Sequence, residues 1–210
     1  MDRFLSMFVD DESSGTYISY PSRKRSLNSQ NEPLDKRRKT VSEKEEQIAA
    51  VQENPKAIQY IKNPSIEVQL AAVQTLGVAI LFIIDPSIEV QLAAIQQDSY
   101  AINYISYPSI EVQLTAVQKD GVAVRFIKNP SKEVQIAAVQ NIFLAMKYIE
   151  NPSIEVQLAA VQADPYALQY IENPPIEVQL AAVQKEGVAI QFIKNPSAHC
   201  PIFRLNIFCI

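Results

Sequence analysis

The chain contains no tryptophan and few of the residues on which most catalytic and metal sites depend. Its 210 residues include one histidine, two cysteines and four glycines. No glycine-rich loop that could cradle a phosphate is present, and no nucleophile has a base close by in the sequence. His199 with Cys200 and Cys209 supplies fewer than the four ligands of a structural zinc site. We therefore expect a protein that is not an enzyme and that uses no cofactor or metal.

The positions of the two cysteines also bear on the compartment. Both lie in the last eleven residues, so no disulfide framework holds the rest of the chain, which fits a reducing compartment. No stretch reaches the roughly 18–20 apolar residues that span a bilayer, and the apolar N-terminal run is too short for a signal peptide. These absences predict a soluble intracellular protein with no membrane partner.

Basic residues are unevenly distributed along the chain. Residues 21–41 carry seven Lys/Arg against two acids, whereas residues 42–210 carry 11 Lys/Arg against 17 Asp/Glu. The sequence thus places a basic arm before an acidic body. An acidic body disfavours broad binding to phosphate backbones, which needs clustered cations.

What the chain does have is an internal repeat of 22 residues. Seven prolines recur at this spacing: Pro64, Pro86, Pro108, Pro130, Pro152, Pro174 and Pro196. The unit reads N-P-S-I-E-V-Q-L-A-A-V-Q at 63–74, and such a fixed period indicates a solenoid. Glu occupies the column of Glu67 and Gln the columns of Gln69 and Gln74 in all seven units of 42–195.

Helix and strand are both conceivable for this phrase. Residues 66–70 alternate apolar and polar, as in a strand, but Ile66, Leu70 and Val73 also form a helical stripe. The helix-forming composition and the scarcity of Gly decide for helices. We expect helix A near 65–75, with Pro in its first turn and the preceding Asn or Asp as N-cap, and a short, partly 3₁₀ helix B near 77–84.

Several columns allow two interpretations. The Glu column suits the start of a helix or forms an acidic stripe for a basic partner. In helix B, Val stands four residues before Phe, as in Val78 and Phe82, whereas larger residues precede Tyr. This pattern indicates volume-matched packing on one helix face, and a binding role for the tyrosines is the alternative. The first unit lacks Pro and begins at Ser42 with the spacing of a capping box.

The phrase D/N-P-S-x-E-V-Q-L-A-A-V-Q resembles the helices of short-repeat α-solenoids of the leucine-rich-variant and HEAT type. A second phrase, A-A-V-Q-K-x-G-V-A-I/V-x-F-I-K-N, is similar to uncharacterised 22-residue repeat arrays of large DNA viruses. The resemblance implies an inter-repeat ladder between residues six apart, here neutral amide pairs in place of charged ones. The matching pairs are Asn63 with Gln69, Asn129 with Gln135, Asn151 with Gln157, and Asn173 with Gln179.

The sequence therefore predicts an all-α fold, a right-handed α-solenoid of seven two-helix repeats at 42–195. Residues 1–41 are expected to form a disordered arm. Residues 196–210 read as an aborted eighth repeat with an apolar tail, because Pro201 falls in mid-helix. This tail is either a cap or the truncated end of a longer array.

The basic arm contains the spacing of a bipartite nuclear-localisation signal. Its two clusters are Lys24-Arg25 and, after ten residues, Lys36-Arg37-Arg38-Lys39. Such clusters on an extended linker predict binding to a nuclear import receptor. A solubilising tail and an arm that touches nucleic acid through phosphates alone are the alternatives. The expected location is the nucleus, that of the host if the chain is viral, and otherwise the cytoplasm.

These observations favour a non-catalytic scaffold that binds a protein partner which the sequence does not identify. Specificity is expected in the columns that vary at the inter-helix turn and on helix B. The candidate partner surface consists of Lys119, Arg125, Asn141, Lys147 and Lys185. The alternatives are a nucleic-acid or chromatin-associated protein that uses its arm, and a structural or virion-associated repeat protein.

Overall fold

The computed structural model describes the backbone of residues 34–193 and the side chains of residues 42–193. Within this part every regular element is a helix, and α-helices alternate with 3₁₀ helices. The α-helices are α1 (Leu34–Glu53), α2 (Ile66–Thr75), α3 (Ile88–Gln97), α4 (Ile110–Lys119), α5 (Lys132–Asn141), α6 (Ile154–Ala163) and α7 (Ile176–Lys185). The 3₁₀ helices are η1 (Pro55–Tyr60), η2 (Gly77–Phe82), η3 (Ser99–Tyr104), η4 (Gly121–Phe126), η5 (Phe143–Tyr148), η6 (Pro165–Tyr170) and η7 (Gly187–Phe192).

The helices form seven units that stack on their neighbours, which confirms the predicted all-α solenoid; its handedness stays a prediction. From α2 onward each α-helix packs on the next α-helix, and each 3₁₀ helix packs on the next 3₁₀ helix. The α-helices also contact the 3₁₀ helices of their own and of the preceding unit. The result is an α layer and a 3₁₀ layer, as expected when short helices that are marginal alone are stabilised by stacking.

The core between the two layers is built from the same columns in every unit. Val68, Ala72 and Val73 face it from the α-helix, and Ala79 and Ile80 face it from the 3₁₀ helix, all at most 1% exposed. Their counterparts one period further, from Val90 to Ile102, are buried to the same degree. Small Ala columns let the helices approach closely, and the branched residues fill the space between them.

Helix α1 begins earlier than the sequence predicted. It starts at Leu34, so Ser42 and Glu45 lie inside a continuous helix and do not form a capping box. The predicted boundary between arm and solenoid at residue 42 therefore lies inside this helix, and the division itself stays a prediction. Lys36–Lys39, the second cluster of the predicted localisation signal, lie within α1 and therefore on a helix. Lys24 and Arg25, the rest of the arm and the tail 196–210 lie outside the described residues.

The prolines stand outside the α-helices, which corrects the predicted caps. Each of α3 to α6 has as its N-cap the serine that follows the proline, and the serine Oγ accepts a hydrogen bond from the N–H three residues on. In α3 this bond joins Val90 N to Ser87 Oγ at 3.4 Å. Ser fits this position because its short hydroxyl satisfies one of the free N–H groups of the first turn. The Glu column then falls in the first turn of α2 to α7, as predicted.

The Asn/Asp column before the prolines forms the sharp turn between the two layers. Asn63, Asp85, Asn129, Asn151 and Asn173 have φ between 48° and 53°, in the left-handed region. Asn and Asp tolerate this conformation better than other residues with a Cβ. Tyr107, the exception in the sequence, is not left-handed. These residues are thus selected by backbone conformation and do not cap helix A.

Helix B is entirely 3₁₀ and ends at residue 82 in its second occurrence, earlier than predicted. Its N-cap is an Asp or Asn in four units. Asp98, Asp120 and Asp164 each accept a hydrogen bond from the N–H two residues on at 2.8–2.9 Å, and Asn54 accepts one from Lys56 at 3.2 Å. The tighter winding suits the few residues that the 22-residue unit leaves for this segment.

Candidate protein-interaction surface

A row of four similar clefts runs along the 3₁₀ layer, one at each of four consecutive unit junctions. We number them clefts 1 to 4 in chain order, and their volumes are about 430, 460, 570 and 460 Å³. Each lies between the proline turn of one unit and the aromatic and Ile columns of the next. Cleft 3, for example, is lined by Pro130, Gln135, Tyr148 and Ile149.

The Gln column forms one wall of every cleft, held by a bond within its own unit. The side-chain Nε2 donates to the carbonyl oxygen of the proline five residues earlier at 2.7–2.9 Å, from Gln69 to Gln179. The predicted ladder between Asn63, Asn129, Asn151 or Asn173 and the glutamine six residues on is therefore replaced by a bond that closes the turn. In Gln91 and Gln157 the Oε1 atom is buried without a hydrogen-bond partner.

Bonds between units occur instead at the C-terminal ends of the α-helices. Gly77 N–H donates to Gln97 Oε1 and Gly121 N–H to Asn141 Oδ1, both at 2.8 Å. Asn141 Nδ2 also donates to the carbonyl of Gln118 at 2.8 Å. An amide side chain therefore occupies this position where the preceding unit presents a glycine N–H.

Lysine takes the same position in two units, after Ser99 and after Pro165 in the glycine column. Lys119 Nζ donates to the carbonyl of Gln96, and Lys185 Nζ donates to the carbonyls of Gln162 and Ala163. A cation at the C-terminus of a helix also interacts favourably with its dipole. Three of the five residues of the predicted partner surface, Lys119, Asn141 and Lys185, thus join neighbouring units, although they remain exposed. For the bonds between Gly N–H and amide side chains, the signal in the sequence was a Gly followed twenty residues later by Gln or Asn.

The other two predicted surface residues, Arg125 and Lys147, lie close together on the 3₁₀ layer. The Arg125 guanidinium stands 4.9 Å from the centroid of the Phe126 ring and 5.3 Å from that of Tyr148. Lys147 Nζ lies 5.9 Å from the Tyr148 centroid. With Lys128, which lines clefts 2 and 3 with its neighbours, they form what we call the basic cluster: Arg125, Lys128 and Lys147. The rings hold Arg125 and Lys147 without neutralising them.

No carboxylate neutralises the basic cluster among the described residues. The ion pairs in this part of the chain join Lys44 to Glu67 at 3.2 Å and Lys132 to Glu155, both in the α layer. Glu150 lines cleft 3 and Glu172 lines cleft 4, but neither is within ion-pair distance of the cluster. The cluster is thus a basic region on a body with an excess of acids.

An apolar patch lies next to the basic cluster, at cleft 1. Ile84 is 90% and Tyr107 95% exposed, and both line the cleft together with Tyr104. No Lys or Arg lines this cleft. Single exposed apolar residues are common on protein surfaces, but two large ones at one cleft form a patch of the kind that marks interaction sites.

Three aromatic side chains of the 3₁₀ layer pack against aromatic rings of the next unit. Tyr100 packs edge-on against Phe126 with centroids 5.5 Å apart, Tyr166 packs likewise against Phe192 at 5.4 Å, and Phe143 stacks on Tyr170 at 6.2 Å. Because helix B is a 3₁₀ helix, residues three apart share a face, and the predicted packing of residues four apart on one face does not follow from its geometry. The Tyr100 hydroxyl also donates to Asp120 Oδ2 at 2.7 Å, and this bond raises the pKa of the phenol.

The described part of the chain has the fold of a helical-repeat solenoid. Between residues 42 and 193 no group of three or more His, Cys, Asp or Glu side chains is arranged to hold a metal ion. None of the helices within 34–193 combines the length and apolar character that a membrane crossing needs. Comparison with protein-family models, curated proteins and solved structures finds no match to the chain.

Proposed function

We propose that the protein is a non-catalytic scaffold that binds a protein partner on its 3₁₀ layer, at clefts 1 to 4. The observation that carries the proposal is the unneutralised basic cluster over Phe126 and Tyr148, next to an exposed apolar patch. Arginine and aromatic side chains are the residues that contribute most at protein interfaces. The recurrent glutamines of the Gln69 column, in contrast, are engaged in closing the turn of each unit.

The α layer has a different character and suits a supporting role. Its first turns expose the Glu column beside half-exposed isoleucines such as Ile66 and Ile88. Such an acidic surface repels phosphate backbones, so we assign nucleic-acid contact, if the protein makes any, to the basic arm. On the two repeat phrases we also propose kinship with the leucine-rich-variant and HEAT-type solenoids and with the viral arrays.

An affinity capture with matched variants tests the binding surface. The full chain and an Arg125→Gln, Lys147→Gln variant are used as baits, because Gln59, Gln169 and Gln191 already occupy the Arg125 column. We expect the variant to lose specific partners that the natural chain retains. Lys132→Ile, which removes one charge from the α layer and restores the residue of five other units, serves as the control. Equal capture by all three baits would show that the basic cluster is not the interface.

We further propose that the protein acts in the nucleus and reaches it through an import receptor that binds the two basic clusters of the arm. The test changes Lys36, Arg37, Arg38 and Lys39 to Ala in a fluorescently tagged full chain. Alanine keeps the helix propensity of this part of α1, so a loss of nuclear signal reports the charges. A Lys24→Ala, Arg25→Ala variant tests the second cluster alone. If all forms distribute alike, the signal does not operate.

A further inference from the structure

We propose that clefts 1 to 4 form one continuous site for an extended, acidic segment of the partner, three residues of which span each unit. An apolar side chain of the segment enters cleft 1, and carboxylates three and six residues away meet the basic cluster at clefts 2 and 3. The inference rests on the proposed scaffold function and specifies the chemistry of its partner.

The spacing of the clefts fits an extended chain. Stacked helices lie about 8–10 Å apart, and a polyproline II chain advances about 3.1 Å per residue and has three residues per turn, so that residues three apart share a face. Three residues of such a chain therefore cover one unit, so every third side chain reaches an equivalent cleft. An α-helix rises about 1.5 Å per residue, and its side chains would not repeat in step with the units.

The order of side chains along the row gives the segment its chemistry. Cleft 1 has apolar walls from Ile84, Tyr104 and Tyr107. Lys128 lines both cleft 2 and cleft 3, and Arg125 joins it at cleft 3. A carboxylate suits these positions because a guanidinium can bind it with two parallel hydrogen bonds.

Acidic side chains limit where the carboxylates of the segment can lie. Asp85 lines cleft 1, Glu150 lines cleft 3 beside Arg125, and Glu172 lines cleft 4 beside Lys147. Cleft 2 contains Lys128 and no acid, and cleft 3 has two cations against one acid. Attraction for carboxylates is therefore confined to the middle of the row. Glu150 and the excess of acids on the body also disfavour a nucleic acid, whose phosphates continue past the cluster in both directions.

The test is fluorescence anisotropy with two labelled synthetic peptides and the full chain. The first peptide has a proline-rich background that favours an extended conformation, with one Phe and then Asp three and six residues later. The second has the same composition, with each Asp moved by one residue. We expect the first peptide to bind about tenfold more tightly, and its binding to weaken with added salt.

Matched variants assign the binding to the clefts. Arg125→Gln with Lys128→Ser introduces residues that the same columns carry in other units, such as Gln169 and Ser106, and should weaken binding about tenfold or more. Ile84→Ser should weaken it through loss of the apolar contact, and Lys132→Ile should leave it unchanged. Circular dichroism checks that each variant is folded.

Other outcomes would overturn the inference in distinguishable ways. Equal affinity for the two peptides would exclude the three-residue register. A single-stranded DNA oligonucleotide that binds as tightly and with the same dependence on Arg125 and Lys128 would show a general anion site. Absence of peptide binding, together with partner capture that still requires Arg125 and Lys147, would reject the extended segment but leave the scaffold function standing.

Discussion

Gly121 shows how closely one residue can couple two units. A Cβ added there would collide with the carbonyl oxygen of Ala138 and lie 2.8 Å from Ile142 Cγ2, both in the next unit. A backbone oxygen inside a helix cannot move aside, so Gly121→Ala has to push the two units apart. We expect a loss of about 1–3 kcal/mol in the free energy of unfolding, measured by urea denaturation followed by circular dichroism.

Ser99→Ala is the matched control, because Ser99 occupies the Gly121 column and its unit already accommodates a side chain there. The control should change the unfolding free energy by less than about 1 kcal/mol. Equal effects at the two positions would mean that the close approach to Ala138 does not determine the choice of glycine.

Asn173 tests the left-handed turn before the proline. Its φ of 49° is costly for a residue with a simple Cβ, so Asn173→Ala should lower the unfolding free energy by about 1 kcal/mol. Asn173→Gly should be close to neutral because glycine adopts this conformation freely. Thermal unfolding of both variants is the measurement, and an Ala variant as stable as the Gly variant would contradict the turn geometry.

At the scale of elements, the sequence was sufficient for the helices but not for their caps. The stripe of Ile66, Leu70 and Val73 and the first-turn Glu column correctly predicted the α-helices. An Asn before Pro-Ser suits an N-cap and a left-handed turn equally well, so composition could not separate the two. Two features of the sequence indicated that the helix begins after the proline: the serine two residues after the Asn, and Tyr107, which replaces Asn or Asp in one unit.

The Tyr100–Asp120 bond joins two units and should make their contact sensitive to alkaline pH. Because the neutral phenol donates to the carboxylate, folding raises the pKa of Tyr100 above its ordinary value of 10.0. A raised pKa means that the bond contributes fully below about pH 10. The contribution is then lost as the pH rises through the folded-state pKa.

Spectrophotometric titration of the tyrosines measures this shift. We expect one tyrosine that titrates late in the natural chain and is missing from the titration of Tyr100→Phe. Asp120→Asn keeps an oxygen acceptor but removes the charge, so it should move the pKa of Tyr100 back toward its ordinary value. A Tyr100 pKa that does not respond to Asp120→Asn would mean that the hydrogen bond does not form.

At the scale of the whole molecule, a binding surface is made of columns that differ between equivalent units. Arg125 and Lys147 stood out as candidates in the sequence because the column that they share varies between units and lies on a short helix. Lys119, Asn141 and Lys185 have another role, since each bonds to the backbone of the preceding unit: Asn141 to Gly121 N–H, and the two lysines to carbonyls at the end of the preceding α-helix. The clefts themselves were not predictable, because they depend on how the turn of one unit meets the aromatic column of the next.

Because each unit packs only on its neighbours, we expect that a whole unit can be removed and that the remaining units still fold. Deletion of residues 66–87 joins Ser65 to Ile88, so the serine cap, the turn at Asn63 and the 22-residue register are all preserved. We expect the same helical content per residue, cooperative unfolding, and a denaturant m-value lower by about one seventh, in proportion to the surface lost. Deletion of residues 66–76 removes α2 but keeps η2, which puts two 3₁₀ helices in succession and every later column out of register. This second variant should lose cooperative unfolding, and if it were as stable as the first, stacking of equivalent units would not be what holds the chain together.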